Sequence, residues 1–147
     1  MKKIAALCFL CLSVLFASAQ KDARLNEGQA TIYIYRGGQF TGAAANWALF
    51  VDGKKICKLS NNKFIKVTLP PGKHVITSKI GGVELFKKET VIEVETEGGK
   101  SYYVACTVKQ SFTRARMEFM EVTKSTADKQ MEGMSLDNCQ ESIDAEK

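Results

Sequence analysis

Between residues 30 and 122 apolar side chains alternate with polar ones over short runs, the period of strands covered on one face. Thr31-Ile32-Tyr33-Ile34-Tyr35 is the clearest case. Its aliphatic residues point to a core and leave Tyr33 and Tyr35 on the other face. Residues 47–51 form a second strand with Trp47, Leu49 and Val51 on one side. Residues 54–59, 64–69 and 73–80 give three more. Residues 84–96 read as one long strand or as two broken around Lys87-Lys88-Glu89. Residues 102–108 place Tyr102, Val104, Cys106 and Val108 together, and residues 116–122 close the series.

Turn residues separate these runs. Asp52-Gly53 and Asn61-Asn62 tolerate the positive φ that two-residue hairpin loops require. Pro70-Pro71-Gly72 has the composition of a type II turn, and Gly81-Gly82 and Gly98-Gly99 mark two further breaks. A turn every 8–12 residues is the mark of a sandwich or barrel. Parallel strands need crossovers of about a dozen residues, usually helical, and no such helix fits between 30 and 122. The expectation is an all-β, antiparallel sandwich of about seven or eight strands.

The pattern changes after Val122. Ser125 with Asp128 can cap a short helix, and Ala127, Met131 and Met134 share one helical face. Gly133 interrupts it. Residues 135–147 are acidic with few large apolar side chains, so the reading is a short helix followed by a disordered acidic tail. At the other end, Lys2-Lys3, an apolar run over 4–16 and Ala17-Ser18-Ala19 make a signal peptide cleaved after Ala19. That apolar run is short for a membrane span, so no transmembrane segment is expected once the signal is removed. The organisation is thus a signal peptide (1–19), a flexible lead-in (20–29), a β-sandwich (30–123), and a helix with an acidic tail (124–147). An exported protein of the periplasm or cell envelope is implied.

Export bears on the cysteines. Cys57, Cys106 and Cys139 remain after cleavage, so at most one intramolecular bridge can form among them. Cys57 and Cys106 fall on strands and read as small apolar side chains, with a bridge between the two as the lesser alternative. Residues 20–124 carry 17 Lys/Arg against 10 Asp/Glu, while residues 125–147 carry two against six. Lysines on solvent faces and strand edges, which keep sheets from associating, account for the basic body. No basic cluster with interleaved aromatics points to nucleic acid.

Candidate chemistry is sparse. His74 is the single histidine, so a hydrolase would have to pair it with Cys106 or a carboxylate. One histidine and three scattered cysteines lack paired metal-ligand spacing. Glu93 and Glu95 alternate with Ile92 and Val94 on a strand's solvent face, unlike two carboxylates across a cleft. Nothing calls for a cofactor. The irregular segment Arg36-Gly37-Gly38-Gln39-Phe40-Thr41-Gly42 reads as a mobile loop. Phe40, an apolar side chain in such a loop, suggests a contact surface. Arg36 would bind an anionic ligand, or more simply form a structural salt bridge or bond the loop's own carbonyls. Trp47 with Phe40 and Tyr33/Tyr35 could offer sugar-stacking faces, although a tryptophan opening a strand is more often core.

Y-I-Y-R at 33–36, V-D-G at 51–53, L-P-P-G-K-H at 69–74 and G-K-S-Y-Y-V at 99–104 occur in that order. In these motifs the chain resembles the bacterial family of unknown function numbered 2846, found on exported and lipid-anchored envelope proteins. The V-D-G to P-G-K-H portion is also similar to PEGA-type surface β modules. The resemblance spans residues 30 to 122 and implies no catalytic residues. Unlike lipid-anchored members, this chain has no cysteine just after its signal sequence. The resulting expectation is a non-enzymatic envelope module that binds a protein or cell-surface polymer through the 36–46 loop or a sheet edge, with Arg36, Phe40 and Trp47 as candidate contact residues. The alternatives are a carbohydrate-binding sandwich using Trp47 and Phe40, and a small hydrolase using His74.

Overall fold

The structure is a computed structural model that describes residues 28–40, 42–80, 90–110 and 115–145. The expected signal peptide, most of the expected lead-in and the break considered around Lys87-Lys88-Glu89 lie outside the described residues. The elements are β1 (Ala30–Arg36), β2 (Trp47–Val51), β3 (Lys54–Leu59), β4 (Lys63–Leu69), β5 (Gly72–Ile80), β6 (Thr90–Thr96), β7 (Ser101–Gln110) and β8 (Ala115–Val122). Helix α1 (Lys124–Gln130), the two-residue β9 (Ser135–Leu136) and helix α2 (Gln140–Ala145) follow.

These strands form two sheets, of order β8-β7-β1-β4-β9 and β3-β2-β5-β6. The all-β sandwich with a short C-terminal helix is therefore the fold. Alternation builds its core from both sides. Ile32 and Ile34, Ile65 and Val67, Val104, Cys106 and Val108, and Met117 come from the first sheet. Trp47, Leu49 and Val51, Cys57 and Leu59, Ile76 and Val94 come from the second. The outer face of the first sheet carries a smaller cluster, in which Tyr35 and Tyr103 are covered by Ala127 of α1, with Met131 and Met134 alongside. The Tyr35 hydroxyl donates to Gln130 Oε1 at 2.6 Å.

Three expectations need correction. The pairing is mainly antiparallel, yet β1 runs parallel to β7 with Ile34 opposite Val104, and β4 runs parallel to β9. Among the described residues no helix lies between β1 and β7, and the second sheet itself returns the chain between them. Asp52-Gly53 closes a hairpin directly, with φ of 51° and 79° at its two residues, and Gly81-Gly82 lies outside the described residues. Asn61-Asn62 and Pro70-Pro71 instead carry the chain from one sheet to the other. The third correction concerns the acidic segment. Ser135 to Ala145 is ordered against the sandwich, with Asp137 and Gln140 buried, and Cys139 is bridged to Cys57. Its few apolar residues suffice because hydrogen bonds and a covalent link hold it. Helix α1 also starts earlier than Ser125 implies, since the Thr123 hydroxyl accepts the Thr126 N–H and caps it.

Trp47 lies in the middle of this core and is 3% exposed. Truncation to alanine leaves a large cavity between the sheets, so Trp47→Ala should cost about 3–5 kcal/mol in urea unfolding. An unchanged midpoint would contradict the packing described here.

Candidate functional site

Alternation along β1 sends Arg36 inward, on the same face as Ile32 and Ile34, and its side chain is fully buried. The guanidinium ends beneath the loop that leads to β2. Nη1 donates to the Ala45 carbonyl and Nη2 to the Gly42 carbonyl, each at 2.6 Å. Nε has no partner among the described residues. Burial pushes the Arg36 pKa down, while the neighbouring Cys106 opposes that shift. Gly42 allows this approach: its φ is +76°, and a Cβ there would come 3.1 Å from Val108 Cγ1.

Gln39 is held from three directions. Its N–H donates to Asn61 Oδ1 at 3.1 Å, its carbonyl accepts from Asn61 Nδ2 at 3.1 Å, and its side-chain Oε1 accepts the Val108 N–H at 2.8 Å. The next residue, Phe40, is entirely exposed. The loop therefore presents an apolar ring from an anchored backbone. Trp47 takes no part, because burial leaves no indole face open and its Nε1 is unpartnered among the described residues. Arg36 and Phe40 thus meet at one loop, whereas Trp47 belongs to the core.

His74 lies near the opposite end of the sandwich. Its Nδ1 is 2.7 Å from Asp52 Oδ2, and its Nε2 is 2.9 Å from the Pro70 carbonyl oxygen. Both partners are acceptors, so both ring nitrogens must donate, which requires the imidazolium form. Asp52 Oδ1 also accepts the Val75 N–H at 2.8 Å, and Thr96 Oγ1 reaches the Pro70 and Gly72 carbonyls. This clasp ties the β2–β3 hairpin to the connection between the sheets. Burial alone lowers the His74 pKa, but the bonds to Asp52 and Pro70 and the charge of Asp52 outweigh it, and the pKa is raised. For Asp52, burial acts upward, and the His74 and Val75 bonds with the His74 charge bring its pKa below the usual range.

Cys106 does not meet His74. Cys106 is in register with Arg36, while Pro70 follows Leu69, the partner of Ala30 at the far end of β1. Six strand residues separate the two positions, on the order of 20 Å. Burial pushes the Cys106 thiol up, away from the thiolate a nucleophile needs. Glu93 pairs with Lys73 at the surface of β6, and Glu95 is exposed there. Cys57, Asp137 and Cys139 do converge, with ligand atoms within 4.8 Å of one another. The two sulfurs are joined in a disulfide, and the Asp137 oxygens accept the Ser60 and Cys139 N–H groups. Tyr33 and Tyr103 stack at 5.1 Å beside a cleft of about 360 Å³ that Asp128 and Glu132 also line.

The sequence reading treated Asp52 only as a turn residue, and it named neither Asn61 nor Gln39 as an anchor. The motif pair V-D-G and P-G-K-H was the available signal for Asp52. Nothing local marks Asn61 as a partner of Gln39.

The pH dependence follows from the raised His74 pKa. The clasp contributes fully below the unfolded histidine value near 6.5, and its contribution is lost as pH rises through the folded pKa. Urea midpoints should fall across that window, and His74→Ala should remove the fall while costing about 1–3 kcal/mol at pH 6. An identical slope in the variant would refute the clasp.

The description "Protein of unknown function (DUF2846)" matches residues 26–118. No curated protein matches the sequence. The matched segment contains β1 to β7 and the first half of β8 with the clasp and the anchored loop, and the chain belongs to the family of unknown function numbered 2846.

Proposed function

We propose that this protein is a non-catalytic, exported module of the cell envelope that binds a protein or cell-surface polymer through the loop at residues 37–46. The single observation that carries this reading is Phe40, a fully exposed ring adjoining a residue held by three hydrogen bonds. An anchored backbone reduces the ordering entropy that a mobile loop loses on binding. The engaged nitrogens of His74 and the buried thiol of Cys106 support a role without turnover. Export is supported by the Lys2-Lys3, apolar and Ala17-Ser18-Ala19 series, and by a disulfide suited to an oxidising compartment. Among the described residues no helix is long and apolar enough to cross a membrane.

A carbohydrate reading has its own observation, the stacked Tyr33 and Tyr103 beside Asp128 and Glu132. Aromatic and carboxylate groups together suit sugar hydroxyls and apolar sugar faces. It uses a different surface from the loop, so substitutions separate the two.

Phe40→Ser should leave unfolding within about 0.5 kcal/mol of the parent, because the ring touches nothing the fold needs. The same change should abolish cross-linking from the loop to envelope components in the native cell. Retention on cell-wall polysaccharide that survives Phe40→Ser but is lost in Tyr33→Ala would favour the cleft. Cross-linking unaffected by Phe40→Ser would reject the loop as the binding surface.

A further inference from the structure

The segment from Ser135 to Ala145 covers one edge of the first sheet. A strand at a sheet edge exposes unpaired peptide groups that invite another strand. On β4 these groups are answered one after another. Ser135 and Leu136 pair in parallel with Lys63 and Phe64, and the Asp137 N–H donates to the Phe64 carbonyl at 2.8 Å. At Lys66 the partner is a side chain. Gln140 Oε1 accepts the Lys66 N–H at 2.8 Å, and Gln140 Nε2 donates to the Lys66 carbonyl at 3.1 Å. That is the pair of bonds a facing peptide unit would make, since a primary amide carries the same donor and acceptor. Asp137 adds a bond to the Ser60 N–H.

Little apolar surface holds this strap. Leu136 is 41% exposed, and the apolar packing comes from Cys139 and Ile143 against the core. Net contributions of about 1 kcal/mol per hydrogen bond do not by themselves make a terminal segment secure. The covalent fastening is the Cys57–Cys139 bridge, which ties the strap to β3 across 82 residues of chain. Cys57 is buried, whereas Cys139 is only partly buried and is the more open of the two residues. The strap also lies beyond the segment matched by the family, so the β4 edge and its cover come from different parts of the chain.

We propose that Cys57–Cys139 is a redox-sensitive fastening: the disulfide keeps the strap over the β4 edge, and reduction by a dithiol releases the strap and bares that edge. In the step, the dithiol attacks at Cys139, the S–S bond breaks, and Cys57 and Cys139 each take up a proton as thiols. The reductant gives up two electrons and two protons and closes into its own disulfide. Released at one end, the strap remains tethered through residues 131–134, where Gly133 has a φ of +76°. The Lys66 N–H and carbonyl and the Phe64 carbonyl then open to solvent together. The core keeps its packing, because Cys57 stays within it as a small apolar side chain.

Amide hydrogen exchange on the mature chain tests this, comparing the oxidised protein, the protein in dithiothreitol and Cys139→Ser. Reduction should speed exchange by about tenfold or more in residues 60–66 and 135–145 while β2, β5 and β7 keep their protection. Cys139→Ser should match the reduced protein without reductant and should not respond to it. In the oxidised protein, Gln140→Ala should expose the Lys66 amide alone and leave Ser135 to Cys139 protected. Unchanged exchange in the strap on reduction would overturn the proposal. So would loss of protection throughout the sandwich, since the bridge would then secure the whole fold. Unaltered exchange at Lys66 in Gln140→Ala would remove the edge-covering role of the amide.

Discussion

The alternation of β1 between two sheet neighbours is the constraint from which the rest of the structure follows. β1 is bonded to β4 on one side and β7 on the other, so its pleat cannot slip without reversing every side chain. Ile32, Ile34 and Arg36 therefore face inward, and Tyr33 and Tyr35 outward. The inward face fills the sandwich and ends on a guanidinium placed beneath the connection to β2. The outward face creates a second apolar surface, which α1 covers through Ala127.

Polar interactions secure the two ends of this body in different ways. At the Leu69 end, the Asp52–His74 pair and the Pro70 carbonyl tie a hairpin to a connection between the sheets. At the Arg36 end, a buried cation turns loop carbonyls inward, and Asn61 holds Gln39 from a neighbouring turn. A buried charge is costly unless it is well bonded, so the cost of Arg36 falls on the geometry of one loop. That loop leaves its phenylalanine in solvent. The stability of one region and the exposure of the next thus share a cause.

Much of the fold was legible because its signals are local. Alternation in 31–35, 47–51 and 102–108 identified strands and their buried faces, and Asp52-Gly53 identified a hairpin from backbone chemistry alone. For Arg36 the sequence left an anionic ligand, a salt bridge and the loop's own carbonyls open, and the fold turned its guanidinium onto the Gly42 and Ala45 carbonyls. Pairings between distant residues were not legible. Cys57 read as an unbridged strand residue with Cys106 as the one partner weighed, yet it is bonded to Cys139, in a segment whose composition suggested disorder. The Gln140 amide looked like any polar side chain until β4 stood opposite it. The β1–β7 pairing was missed because a sheet can serve as the crossover that a helix usually supplies.

From residue order alone came the β class, the strand positions, the inward and outward sets, and membership of a family carried by turn motifs. These depend on backbone geometry and side-chain period, which act over a few neighbouring positions. Tertiary structure decided which strands are neighbours, which cysteine closes the bridge, why His74 holds two acceptors and how the acidic segment covers an edge. Those outcomes depend on contacts between groups tens of residues apart, and such contacts exist only once burial of the two inner faces has brought the sheets together.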